Sequence, residues 1–142
     1  MDVISEIIER RKAGRVTCAI HRDLPEGPLF ALGDAVLVRH SLRALGSKWK
    51  VADRATAEQI ATALLHRDLA YTVELMPLQV ASTLASRFTS TIESPCRFLT
   101  NLALSPEGTP TIWEPSSPAT FDGGIVGVAE AMASVLWVED ED

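Results

Sequence analysis

The strongest constraint on this chain is a change in the spacing of its apolar residues near Cys96. Upstream, Ile60, Ala61, Leu64, Leu65 and Leu69 recur at three- and four-residue intervals, the signature of one helical face. Thr56-Ala57-Glu58-Gln59 in front of them fits a capping box. After Pro77, a residue that resets the backbone, Val80, Ala81, Leu84, Ala85 and Phe88 repeat the helical spacing to about residue 91. Downstream of Cys96 the runs 98–104, 111–113, 124–128 and 134–138 are short and β-rich, parted by Pro106-Glu107-Gly108, residues 115–118 and residues 129–132. Helices followed by a strand meander predict an α+β fold, with a largely antiparallel sheet and about three helices packed on one face.

The first fifty residues fit this plan. Val3, Ile4, Ile7 and Ile8 predict an amphipathic helix over 2–12 that stops near Gly14. Val16, Cys18 and Ile20 alternate with Arg15, Thr17 and Ala19, as in a strand with one wet face. Residues 29–38, broken by Gly33-Asp34, read as a second extended stretch forming a hairpin bulged at Gly33. Residues 47–52 read as a third strand, with Trp49 and Val51 facing inward. Tyr71 to Met76 reads as a short extended linker or strand. No repeat and no long polar linker divides the chain, so residues 1–142 are expected to form one domain ending in a short acidic tail, 139–142.

A chain of 142 residues with 46% hydrophobic and 23% charged residues has the composition of an ordered domain. The longest apolar runs fall far short of the ~20 residues of a membrane helix, and the start lacks the basic region of a signal peptide, so no membrane association and a cytoplasmic location are expected. Cys18 and Cys96 are far apart and have no CxxC partner, which reads as reduced thiols. With only His21, His40 and His66 beside them, the chain shows no metal-ligand spacing and implies no cofactor.

The tempting motifs lose their chemistry on inspection. His-Arg-Asp-Leu occurs at 21–24 and again at 66–69, but the magnesium-binding Asn that a kinase catalytic loop needs is Pro28 in one copy and Val73 in the other. Asp122-Gly123-Gly124 has the composition of a tight turn. Ser41 or Cys18 with His21 or His40 and Asp34 has the residue types of a nucleophile triad, without a nucleophile elbow. Trp137 reads as core, Trp113 as part of an exposed contact patch, and Trp49 as an inward strand residue between two lysines. The overall acidity argues against nucleic acid as a partner.

Charge is the remaining signal. Residues 1–50 carry nine Lys/Arg against six Asp/Glu, whereas residues 98–142 contain no Lys or Arg at all. The expected function is therefore a non-enzymatic protein-binding module, such as an inhibitor, an immunity-type antidote or a secretion chaperone, that engages a basic protein partner. The candidate partner-binding residues are Trp113, Glu114, Asp122, Glu130, Glu139, Asp140, Glu141 and Asp142. The competing class is a small-molecule-binding domain or small enzyme, with a pocket lined by His40, Tyr71 and Asp122. A homodimer through an exposed strand edge, such as that of the final strand, is a third expectation.

Overall fold

Seven strands and four α-helices are seen in the computed structural model, which describes residues 1–112 and 114–141. In chain order they are α1 (Val3–Arg10), β1 (Arg15–His21), α2 (Leu29–Arg39), β2 (Lys50–Ala52), α3 (Arg54–His66), α4 (Leu78–Thr89), β3 (Arg97–Thr100), β4 (Leu102–Leu104), β5 (Pro110–Ile112), β6 (Phe121–Ala129) and β7 (Met132–Asp140). A single 3₁₀ turn, Gly46–Lys48, precedes β2. The main sheet is antiparallel throughout and runs β1-β7-β6-β3-β2, while β4 and β5 form a separate hairpin. The expected α+β domain with an antiparallel sheet is therefore what the chain builds.

Strand alternation divides the core in two. Phe98, Ile125, Leu136 and Val138 point to one face, where they meet α1, α3 and α4. Their neighbours Leu99, Val126, Val135 and Trp137 point to the other, where they meet α2 and Trp49. β6 and β7 are buried on both faces, which explains why their sequences read as continuous apolar runs.

The main departure from the sequence reading is α2. Residues 29–38 form no hairpin strand: Leu29, Leu32, Val36 and Leu37 lie at helical spacing and cover the face opposite the three expected helices. Gly33, which reads as a bulge, sits inside this helix because a side chain there has no room: a Cβ would stand 2.7 Å from Leu99 Cδ1 and 3.0 Å from Trp49 Cζ2. The neighbouring Asp34 accepts hydrogen bonds from Leu45 N and Trp49 Nε1, both at 2.8 Å, tying the helix to the 3₁₀ turn.

Smaller corrections have similar local causes. α3 starts one turn before the Thr56 box, because Asp53 in extended conformation accepts the Thr56 N–H at 2.7 Å. Val51 faces outward at 47% exposure, since Trp49 ends the 3₁₀ turn instead of joining a strand with it. Asp122-Gly123-Gly124 is a buried stretch of β6, where the missing side chains make room for Leu102 and Trp137. The run 98–104 breaks into β3 and β4 at Asn101, whose side chain bonds Glu114 O, Asp122 O and Gly124 N. The final strand is not a sheet edge, because β7 pairs with β1 on one side and β6 on the other.

Candidate functional site

Of the acidic residues expected to make one surface, several are inside the protein. Asp122 is fully buried, where its carboxylate accepts from Ser116 N (2.8 Å), Ser117 N and Oγ (both 3.2 Å) and Trp137 Nε1 (3.0 Å). Asp140 is also buried and pairs with Arg11 through two hydrogen bonds of 3.0 and 2.8 Å. Glu139, one residue earlier in β7, turns to the opposite face and pairs with Arg15 at 3.2 Å. Glu141 is exposed and accepts from Thr120 Oγ1 at 2.6 Å. Glu130 is exposed beside the Ala131 turn, and Glu114 is half-buried with its carbonyl on Asn101. Trp113 and Asp142 lie outside the described residues. The expected acidic patch is thus dispersed, because β7 sends successive side chains to opposite faces and arginines from the N-terminal third neutralise two of them.

The expected pocket residues also stay apart. His40 caps the end of α2, Asp122 is sealed beneath Ser116 and Ser117, and Tyr71 is 63% exposed in the loop after α3, on the other side of the sheet. Asp34 serves Trp49, and Cys18 is buried with its thiol pushed up to about 12 by burial, so neither enters a triad with His21.

One concavity is formed by residues to which the sequence assigns no site. A groove of about 710 Å³ runs between α3, the start of α4 and the β4–β5 turn. From α3 come Glu58, Gln59, Thr62 and His66; the loop after it supplies Arg67, Asp68, Leu69 and Thr72; Leu78 and Ser82 come from α4. Glu107, Gly108, Thr109 and Pro110 close the end. The position of this last wall follows from turn chemistry. Gly108 at φ +82° donates to Ser105 O, and Ser105 N donates to Thr109 O, so the hairpin folds tightly and carries Glu107 to the rim.

The opposite rim is held by Asp68 and His66. Asp68 accepts from Tyr71 N (3.0 Å) and Val73 N (2.6 Å), while Leu75 N donates to His66 O at 2.8 Å. The His66 ring meets the Met76 carbonyl at 2.9 Å; a carbonyl only accepts, so Nδ1 carries the hydrogen. This network holds the 67–76 loop with Tyr71 and Val73 exposed at 63% and 57%, and Leu78 follows at 57%. Glu58, Thr62 and His66 lie four residues apart along α3 and form one polar stripe. Only the hairpin, distant in sequence, turns it into a wall.

Two other features are chemically distinct. His21 and His40 bring their Nε2 atoms to 2.8 Å of each other. A smaller hollow of about 330 Å³ adjoins Arg54, whose guanidinium lies 3.0 Å from Cys96 Sγ and over the Phe98 ring. Among the described residues no three His, Cys, Asp or Glu side chains form a metal-binding group, and no helix is long and apolar enough to cross a membrane. No family model, curated protein or solved structure matches this chain.

Proposed function

We propose that this chain is a non-enzymatic protein-binding module whose groove beside α3 takes a basic, partly apolar polypeptide segment. The observation that carries this reading is the make-up of the groove. Glu58, Asp68 and Glu107 supply three carboxylates against the one guanidinium of Arg67. The exposed apolar side chains of Tyr71, Val73 and Leu78 stand at the same end of the molecule, on the loop and helix start that build one rim. Apolar anchors supply affinity in such contacts, and carboxylates select and steer a cationic partner. The charge of residues 51–142, four Lys/Arg against thirteen Asp/Glu, reinforces that steering. The free thiols of Cys18 and Cys96 support a reducing, cytosolic setting.

The test is selection of binders from a displayed library of random peptides. Peptides rich in Lys/Arg with apolar anchors are expected, and the double variant Glu58→Lys/Glu107→Lys is expected to weaken them at least about tenfold. Ser82→Trp, which fills the groove without changing charge, is expected to do the same. Selected peptides that bind both variants as tightly as the parent protein would refute the reading. The groove volume also lies in the range of small-molecule sites, which supports a second reading. A metabolite that raises the melting temperature of the parent protein but not of Ser82→Trp would favour it.

A further inference from the structure

We infer that the contact between His21 and His40 is an acid-sensitive latch that holds the end of α2 against the edge strand of the sheet. His21 closes β1, which pairs with β7 on one side only. His40 caps α2, its own N–H on Leu37 O at 3.0 Å. The two Nε2 atoms are 2.8 Å apart and the ring centroids 5.0 Å apart, so one ring donates a proton and the other accepts it. That bond survives with one ring protonated. It cannot survive with both protonated, because two N–H groups and two positive charges then face each other.

The surroundings make the second protonation unfavourable. Burial lowers the pKa of His21, and the Arg39 guanidinium lowers it further against the opposing charge of Asp23. Burial lowers that of His40, followed by His21, Arg15 and Arg39. Arg15 comes from β1 and donates to His40 O at 3.1 Å while paired with Glu139 of β7, and Arg39 pairs with Asp23 at 2.7 Å. Arg22 next to His21 is exposed, and directly across from His21 in β7 lies uncharged Ala133. Both rings are therefore neutral at pH 7. Since both folded values lie below the ordinary 6.5, the stability they contribute is complete above that pH and is lost as pH falls through the folded values.

The latch has a mechanical consequence. Beyond His40 the chain turns through Ser41 at φ +62°, Leu42 N donates to Leu37 O, and Arg43 reaches the loop that covers Asp122. Arg43 N donates to Ser116 O at 2.7 Å, and its guanidinium donates to Ser117 O at 2.8 Å. Releasing His40 thus loosens the cover over a fully buried carboxylate.

Amide hydrogen exchange at pH 7.5 and pH 5.0, corrected for intrinsic rates, tests this directly. Protection of Leu42 and Arg43 is expected to fall about tenfold or more at pH 5.0, while Leu64 and Leu65 in α3 change less than about twofold. In His21→Gln and in His40→Gln, protection at the same two amides is expected to be low already at pH 7.5 and nearly independent of pH. Ring titration by NMR on the unmodified protein gives a second readout that does not depend on a variant folding: both imidazoles should titrate below 6.5. Equal protection at the two pH values, an undiminished pH dependence in both variants, or two ordinary independent histidine titrations would each overturn the latch.

Discussion

Removing the Arg11 guanidinium should leave a charge with nowhere to go. Its side chain is 0% exposed and that of Asp140 3%. Arg11 donates to Asp140 twice, to Leu64 O at 2.7 Å and to Ala13 O at 2.9 Å, while Asp140 also accepts from Leu69 N at 2.8 Å. One pair thus joins the ends of α1, α3 and β7. In Arg11→Met the carboxylate keeps the Leu69 N–H in a buried site, and breaking a buried pair in this way costs about 3–5 kcal/mol. Asp140→Leu strands the guanidinium at a comparable cost. The double variant strands neither charge and loses mainly the hydrogen bonds to Leu64 O and Leu69 N, at roughly 1–3 kcal/mol each. It should therefore be more stable than the sum of the singles by about 4 kcal/mol. Arg11→Lys should fall between, because an ammonium cannot span both carboxylate oxygens and the Leu64 carbonyl. Urea unfolding followed by tryptophan fluorescence measures all four, with stabilities taken from midpoints at a common slope. Costs that add to within about 0.5 kcal/mol, or an Arg11→Met cost below about 1 kcal/mol, would refute the argument. The exposed Arg15–Glu139 pair offers the contrast, since a surface ion pair is worth only about 0–1 kcal/mol.

Gly33→Ala should destabilise by about 1–3 kcal/mol although alanine is the better helix former, because the new methyl overlaps Leu99 and Trp49; a rise in melting temperature would show that the α2 packing is misjudged. A thiol reagent at pH 8 should modify the half-buried Cys96 and spare Cys18, buried and with its thiol raised to about 12, until the protein unfolds. Mass spectrometry of the labelled protein reads this out, and double labelling under native conditions would contradict it.

The electrostatic picture inverts what the charge pattern implies. An acid-only stretch invites the idea of one acidic surface, yet Asp122 and Asp140 spend their charge inside the core, where each organises a joint between elements. Asp122 fixes the 116–117 loop and the Trp137 indole. Asp140 fixes Arg11 and Leu69. Of the acidic residues that line the groove, Glu58 and Asp68 lie in a stretch that reads as helix and Glu107 in one that reads as a turn.

Local chemistry determined much of this protein from sequence alone. The periods of α1, α3 and α4 and the turn at Pro106-Glu107-Gly108 are properties of a few adjacent residues, and each reappears in the structure, whereas the wet face expected of β1 is covered, with Thr17 buried and Ala19 packed against the α2 side of the core. Tertiary structure decided the rest, where the deciding partner is distant in the chain. Gly33 reads as a strand bulge until Trp49 and Leu99 require a helix with no side chain there. Asp140 reads as tail until β1 and β6 flank its strand and Arg11 closes on it. The groove exists only because a hairpin at 102–112 folds beside a helix some fifty residues earlier. Backbone preference acts over one or two turns of chain, whereas burial and charge pairing act through space, so residues whose role depends on those forces carry no local mark of it.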